Sequence, residues 1–318
     1  MSQNKFSKII HCSTPEEFIS VLRPSNKLWH GARTGWIFRG QSNSKWKLIP
    51  SAFRGESKES GFYYHEVPYF LDGRPPYKDL DEQNAWEFWL LDWFIEIVDS
   101  VGMKIPGDSP ALRKLREEFK PLTKLRTWPQ REFWHALAIA QHHGLPTRLL
   151  DFTEDSFVAT YFACQNCDLY SKRKTKEICV WAINRSFLER ANTYKKRFQV
   201  VTVPRYENVY LHVQSGLFLL DTLISEEWSK STPQNIASID DILKHEYEAF
   251  HNSSYPSYEE SFTAIIKIIL PASKAFEARA LLYREGRHKL TLMPSYQNII
   301  EAMKTERDMN DYFLGPIL

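Results

Sequence analysis

The sequence predicts an α+β fold in which mixed, largely antiparallel central sheets are flanked by helices. Helical patterns dominate the first half of the 318 residues, and strand patterns dominate the second half. The two kinds of pattern do not alternate, as they do in proteins built on a doubly wound parallel sheet. No internal repeat is visible, so we expect one domain over residues 1–318, with the polar segment 225–260 as a helical insertion.

The first half begins with a short predicted helix over residues 15–23, which has Pro15 in its first turn. The apolar run at residues 36–38 then predicts a buried strand. We expect a half-buried strand to continue from it, because Trp46 and Leu48 alternate with lysines.

The clearest helical pattern covers residues 84–103. Its apolar residues recur at i, i+3, i+4 and i+7, whereas Glu87 falls outside that stripe. An aromatic stripe could serve as a stacking platform for bases, but the helical spacing favours packing against the core. The stripe consists of Trp86, Trp89, Leu90, Trp93, Phe94 and Ile97.

Two further helices are predicted over residues 131–143 and 156–166, and Gly144 and Pro146 end the first of them. The second half contains one more predicted helix, at residues 272–285. Its predicted strands have the sequences EICVWAIN, RFQVVTVP, VYLHVQSGLFLLD, TAIIKIILP and HKLTLMP.

The composition excludes several classes of protein. A net charge of +2 gives no general argument for nucleic-acid binding. Four cysteines are too few for a disulfide scaffold at this length, and the lone CxxC at 164–167 is interpreted as buried thiols. No stretch approaches the roughly 20 apolar residues that cross a bilayer, and the first residues lack the core of a signal peptide. We therefore expect a cytoplasmic protein without a membrane partner.

The densest polar cluster lies in the segment AQHHGLPTRLLDFTED, residues 140–155. Adjacent histidines on a helix point about 100° apart, so His142 and His143 do not form a metal pair, and we expect no metal. The cluster consists of Gln141, His142, His143, Thr147, Arg148, Asp151 and Thr153.

A second polar feature is the stretch GWIFRGQ, in which Arg39, Gly40 and Gln41 follow a buried strand. Buried arginine is costly unless it is paired, so Arg39 or Arg148 could form a structural ion pair with Asp151. The same residue types also suit a phosphate-bearing ligand, because guanidinium groups match phosphate oxygens in bidentate geometry. Both interpretations remain open at this point.

Several blocks of the chain resemble the FRG domain, a family named for its Phe-Arg-Gly stretch. The resemblance extends from about residue 15 to about residue 303. The blocks are WIFRGQ, WKLIPSAFR, AQHHGLPTRLLDFT and ATYFA, followed by NVYLHVQSGLF, IIKIILPASK and LTLMPS. The family is mostly bacterial and uncharacterised, and it includes chains associated with anti-phage defence and toxin systems.

The order of the blocks is also similar, more distantly, to that of ADP-ribosyltransferases, which implies a fold of that type. In those enzymes a first strand ends in an Arg-Gly that contacts NAD, a second carries Ser/Thr, and a third carries a catalytic Glu. The resemblance places Arg39 at the NAD-contacting arginine and residues 151–153 at the Ser/Thr block. Gln214 falls near the expected Glu, so the carboxylate comes from Asp151 or Glu207, or the chemistry differs.

The resemblance implies an NAD-consuming, ADP-ribosyltransferase-like effector, a toxin or anti-phage defence component that modifies a nucleic-acid or protein acceptor. An antitoxin or regulatory protein would be its partner, and Asp151 or a histidine its general base. The alternatives are a non-catalytic nucleotide or nucleic-acid binding module and a nucleic-acid- or nucleotide-directed hydrolase. The predicted catalytic residues are Arg39, Asp151, Thr153 and Gln214, and the predicted NAD-binding residues are Arg39, Gly40, Gln41, His142, His143, Thr147 and Arg148.

Overall fold

The structure is a computed structural model. It describes residues 6–30, 32, 35–54, 79–165, 175–189, 197–204, 209–224, 237–252, 263–300 and 302–303. Seven strands form one sheet with the spatial order β1-β7-β4-β2-β3-β6-β5. The strands are β1 (Ser7–His11), β2 (Trp36–Gln41), β3 (Leu149–Thr153), β4 (Glu177–Asn184), β5 (Phe198–Val201), β6 (Gly216–Asp221) and β7 (Ile265–Pro271).

The sheet is mixed but largely antiparallel. Strands β1 and β7 run parallel at one edge, while every other neighbouring pair is antiparallel. The predicted α+β class is therefore confirmed, with a single sheet in the described residues where the sequence suggested more than one.

Helices flank the sheet on both faces. Strand β2 packs very closely against the helix at Ser156–Cys164. The backbones approach each other so closely that a Cβ atom at Gly40 would lie 1.9 Å from the Ala159 carbonyl oxygen. The helices are α1 (Pro15–Leu22), α2 (Leu80–Ser100), α3 (Pro110–Phe119), α4 (Trp134–His142), α5 (Ser156–Cys164), α6 (Val209–Val213), α7 (Ile239–Asn252), α8 (Ala275–Arg284) and α9 (Lys289–Leu292). None of these helices combines the length and the apolar character needed to cross a bilayer.

Three predicted strands differ from the structure. Residues 209–213 form helix α6, and strand β6 begins only at Gly216, after Ser215 turns the chain with φ of 46°. Residues 289–292 also form a helix, α9. The segment around Trp46 is irregular, and that side chain is 49% exposed.

Helix α2 packs most of its aromatic stripe against the core, as predicted: Trp86 and Leu90 are buried, and Trp89, Trp93 and Phe94 are partly buried against them. Phe88, Leu91 and Ile95 are fully buried, whereas Ile97 of the predicted stripe is 47% exposed. Glu87 also lies on the buried side, because it meets a buried cation there. The buried face is therefore wider than the stripe and includes a charged residue, which hydrophobic periodicity does not detect.

Two other predictions lie partly outside the described residues. Within the predicted insertion at 225–260, residues 239–252 form helix α7, and 225–236 and 253–260 are outside the described residues. Cys164 of the CxxC is buried, and Cys167 is outside the described residues.

Candidate functional site

A cavity of about 510 Å³ opens where β2 and β3 meet. These two strands share a single residue pair, Phe38 with Thr153, so their ends leave space that side chains and a ligand can occupy. Residues from β2, β3 and β6 form the cavity walls together with the end of α4, helix α5 and the α6 turn. The cavity is thus built at an incomplete junction in the centre of the sheet.

Arg39 and Asp151 form an ion pair in this cavity. Nη1 of Arg39 donates to the Asp151 backbone carbonyl at 2.7 Å and lies 3.3 Å from the Asp151 Oδ2 atom. The Arg39 side chain is 15% exposed and that of Asp151 is 45% exposed. Gln141 Nε2 donates to the same Oδ2 atom at 2.9 Å. The described residues donate nothing to Asp151 Oδ1, so this carboxylate is held by one oxygen.

A chain of hydrogen bonds behind the carboxylate fixes Gln141. The Thr147 hydroxyl donates to Gln141 Oε1 at 2.8 Å and accepts from the Leu149 backbone N–H at 3.1 Å. The Ser51 hydroxyl accepts from the Thr147 N–H at 3.1 Å. Thr147 is 1% exposed and does not line the cavity, so it acts on Asp151 only through Gln141.

Arg54 adds a second positive charge near the ion pair. Its Nε donates to the Ile49 carbonyl at 2.7 Å. Partial burial and then the charge of Arg39 lower the pKa of Arg54 to about 10, while Asp151 acts in the opposite sense. Arg54 therefore stays protonated at neutral pH and adds a positive charge near the Arg39–Asp151 pair, outside the described residues that line the cavity.

Rings form another part of the cavity wall. His142 and Tyr210 lie with ring centroids 6.1 Å apart and planes at 29°. His143 contacts His142 edge to face at 5.2 Å. Burial, followed by the neighbouring His143, lowers the pKa of His142, and Asp151 partly counteracts this. His142 is consequently neutral near pH 7, and both histidines line the same cavity as the carboxylate.

Thr153 and Gln214 lie together at the cavity edge. The Thr153 hydroxyl donates to the Gln214 backbone carbonyl at 2.6 Å and accepts from the Asp155 N–H at 3.0 Å. Through these two hydrogen bonds the Thr153 hydroxyl stabilises the turn at Gln214. Gln214 is 7% exposed and its Nε2 donates to the Leu292 carbonyl at 3.1 Å.

Arg148 lies away from the cavity. It is 3% exposed, and Glu87 accepts from its Nε at 2.8 Å and from its Nη2 at 2.9 Å. Nη2 also donates to Asn84 Oδ1 at 2.6 Å, and Nη1 donates to the Trp128 carbonyl at 2.7 Å. All three guanidinium nitrogens are thus engaged by protein groups.

Gly40 and Gln41 have structural partners. Gly40 lines the cavity where it contacts α5, and only glycine fits that contact. The Gln41 side chain is buried outside the cavity, where its Oε1 accepts from Trp181 Nε1 at 2.8 Å. Gln41 therefore supports the sheet beneath the site.

The structure brings together most of the predicted site and adds residues that the sequence did not single out. Asp151, His142 and His143 line the same cavity as Arg39, as do Gly40, Thr153 and Gln214. Glu207, the other carboxylate considered, is outside the described residues. Within the described ranges, no group of His, Cys, Asp or Glu side chains is arranged to hold a metal ion. Tyr210 and Asn298 are additional residues that line the cavity, and Arg54 is an additional residue near the ion pair.

Comparison with known proteins shows a similarity over part of the chain. The family model described as the FRG domain matches residues 102–172, about a fifth of the chain, which include Gln141, His142, His143 and Asp151. Phe38-Arg39-Gly40 lies outside the matched residues. No curated protein and no solved structure matches the chain, so the resemblance to ADP-ribosyltransferases stays a prediction. The segment that supplies the carboxylate and the two histidines of the cavity is similar to the FRG domain.

Proposed function

We propose that the cavity binds NAD as a co-substrate and transfers its ADP-ribose group to an acceptor, with Asp151 as the reacting carboxylate. The observation that supports this most directly is the state of Asp151. It is the one Asp or Glu among the described residues that line the cavity, and Arg39 and Gln141 hold it by Oδ2 alone. Its other oxygen is available to a ligand.

The chemistry requires a negative charge beside the ribose. When the bond between C1′ and the nicotinamide nitrogen breaks, its electron pair leaves with nicotinamide and the ribose develops oxocarbenium character. A preorganised carboxylate stabilises that positive charge. The acceptor then supplies the electron pair for the new bond to C1′, and its proton passes to a base. His142, neutral near pH 7 in the same cavity, can take that proton.

Two guanidinium groups suit the diphosphate of NAD. Arg39 lines the cavity with one nitrogen, Nε, buried and without a partner among the described residues. Arg54 lies close enough for the charge of Arg39 to lower its pKa. Together they offset two phosphate charges that Arg39 alone, already paired with Asp151, could not.

The acceptor belongs to the same proposal. The cavity is open to solvent at Asp151, which gives a nucleic-acid or protein acceptor access to the reacting carbon. A chain with this activity would act as an effector in a toxin or anti-phage defence system, controlled by an antitoxin or regulatory protein. Similarity of residues 102–172 to the FRG domain supports this role.

Asp151→Asn tests the reaction, because it keeps the side-chain shape and removes the charge. We expect nicotinamide release from NAD to fall by about 10²- to 10³-fold, the range found when a charge-stabilising group is removed. Asp99→Asn, on the exposed side of α2, is the matched control and should leave the rate unchanged.

Calorimetry with NAD separates catalysis from binding. The proposal predicts that Asp151→Asn still binds NAD. If the wild-type chain neither binds nor consumes NAD, the proposal is wrong. If it binds a nucleotide without turnover, unaffected by Asp151→Asn and abolished by Arg39→Ala, the chain is a binding module.

A further inference from the structure

Two side-chain amides at the cavity are anchored to adjacent backbone carbonyls. Gln214 Nε2 donates to the Leu292 carbonyl at 3.1 Å, and Asn298 Nδ2 donates to the Met293 carbonyl at 2.7 Å. Gln214, Met293 and Asn298 all line the cavity. The segment after α9 therefore holds both amides at one part of the cavity wall.

The chemistry of these bonds fixes the orientation of each amide. A backbone carbonyl can only accept a hydrogen bond, so the atom that meets it must be the NH₂ nitrogen. Reversing either amide would place two oxygens against each other. The amide oxygens, Oε1 of Gln214 and Oδ1 of Asn298, are therefore the atoms left over for other partners. The described residues donate no hydrogen bond to either of them.

Gln214 is also held rigidly. Its backbone N–H donates to the Tyr210 carbonyl at 2.9 Å, and its carbonyl accepts from Thr153 at 2.6 Å. The next residue, Ser215, has φ of 46°, which ends helix α6 at this point. With 7% of its surface exposed, Gln214 has little freedom to turn toward solvent. A ligand that covers this oxygen in the cavity must supply a donor, because an acceptor that loses its water without gaining a hydrogen bond is costly.

We propose that this amide pair selects ligands that carry an amino or carboxamide NH₂ group on a planar ring. Such a group donates two hydrogen bonds, one for each amide oxygen. The rings of His142 and Tyr210 line the same cavity, and the Tyr210 carbonyl is bonded to Gln214, so a planar ring fits beside the pair. A ligand with an oxo group at the same position would be disfavoured, because the oxo oxygen is an acceptor and cannot donate to the two amide oxygens.

This inference deepens the proposed function and rests on it for the identity of the ligand. NAD carries two groups of the required kind, the carboxamide of nicotinamide and the 6-amino group of adenine. The chemistry is shared, so the experiment must tell the two ends of the dinucleotide apart.

The test compares binding of three dinucleotides to the full chain by calorimetry. Nicotinic acid adenine dinucleotide replaces the carboxamide NH₂ with a carboxylate oxygen, and nicotinamide hypoxanthine dinucleotide replaces the adenine amino group with an oxo group. We expect NAD to bind about 10- to 100-fold more tightly than one of these analogues, since an unpaired buried acceptor is penalised by that amount. The analogue that loses affinity identifies the end that is recognised.

Variants assign the preference to the amide pair. Gln214→Leu and Asn298→Leu should each reduce the preference for NAD over that analogue. Gln297→Leu, at the exposed residue that precedes Asn298 in the chain, is the matched control and should keep the preference. Asn298 is only partly buried, so its variant tests the proposal even if Gln214→Leu fails to fold.

The outcomes distinguish this inference from the proposed function. If NAD is consumed but all three dinucleotides bind within about 3-fold, the inference is wrong and the transfer reaction stands. If NAD is not consumed but AMP binds more tightly than IMP, or CMP more tightly than UMP, and the variants abolish the difference, the inference stands without the reaction. If none of these ligands binds, both are wrong.

Discussion

Arg148 and Arg39 both lie at the central strands and both pair with a carboxylate, yet they are built for different purposes. Arg148 makes four hydrogen bonds that engage its three nitrogens, and its side chain and that of Glu87 are 2% and 1% exposed. Arg39 uses one nitrogen for Asp151 and leaves Nε without a partner in the described chain. Arg148 is therefore buried with every guanidinium nitrogen hydrogen-bonded, whereas Arg39 faces a cavity with one nitrogen that lacks a described partner.

The surroundings of the paired carboxylate, more than those of the arginine, decide whether the ion pair only stabilises the fold or can also take part in a reaction. Glu87 is enclosed by its own hydrogen bonds from Arg148, Trp128 and Gln83, so no oxygen remains for a ligand. Asp151 is 45% exposed at a cavity and is held by one oxygen. A carboxylate that is both oriented and accessible is what a reaction needs, whereas a saturated one serves only the fold.

The largest expected effect comes from making the same substitution at both arginines. Arg148→Ala leaves Glu87 as an unpaired buried charge, so the free energy of unfolding should fall by about 3–5 kcal/mol. Arg39→Ala should lower it by about 1 kcal/mol or less, because Asp151 is half exposed and can be hydrated. Urea denaturation followed by tryptophan fluorescence measures both values.

The comparison fails if the two variants lose similar stability, or if Arg39→Ala is the less stable protein. Arg148→Lys is a useful second variant, because it keeps the charge but cannot satisfy Glu87, Asn84 and the Trp128 carbonyl together. It should be destabilised to an extent between that of Arg148→Ala and that of the wild type.

The difference between the two arginines was only half visible in the sequence. The pairing of Arg39 with Asp151 could be predicted as one of two options, because a buried arginine is costly unless an acidic group pairs with it. The pairing of Arg148 with Glu87 was not predicted, because Asp151 was the only acidic partner considered for either arginine and Glu87 fell outside the apolar stripe of its helix. Helix α2 carries aromatic residues on more than one face, so its pattern did not show that Glu87 points inward.

The same reasoning explains which elements were predicted. The strand at Glu177–Asn184 and the helix at Ala275–Arg284 have one clear pattern each, and both predictions are confirmed. Residues 209–221 read as one long strand because apolar residues run through it, but the chain turns at Ser215 between a helix and a strand. That turn places Gln214 at the cavity, and its stabilisation by Thr153 is a long-range contact that no local pattern records.

A smaller effect is expected from Thr147→Val, which acts where the two regions adjoin. Thr147 precedes the buried Arg148 in sequence. Its hydroxyl donates to Gln141, which in turn donates to the Asp151 carboxylate. Valine leaves the Leu149 N–H and Gln141 Oε1 without this partner, so stability should fall by about 1–3 kcal/mol. NAD turnover should fall by about 10-fold because Asp151 is less well positioned.

Thr147→Ser restores the hydroxyl and should recover most of the turnover. If Thr147→Val lowers stability but leaves turnover and its pH profile unchanged, Thr147 belongs to the fold and has no part in positioning Asp151. The Arg148 region and the cavity would then be energetically separate.

The smallest expected effect is a pH dependence of folding stability that comes from His142 at the cavity. Burial and the neighbouring His143 lower the pKa of His142 in the folded protein, whereas the unfolded chain has the ordinary value of about 6.5. As pH falls through 6.5, the unfolded chain binds a proton that the folded chain does not, so folding stability decreases toward acid pH. One proton limits this slope to about 1.4 kcal/mol per pH unit.

His142→Phe and His142→Gln both remove the titrating group, so unfolding free energies of both variants should fall less steeply than those of the wild type between pH 6.5 and 5. If the variants keep the wild-type slope, His142 does not titrate differently in the folded chain, and its neutrality at the cavity, on which its role as a base depends, is wrong.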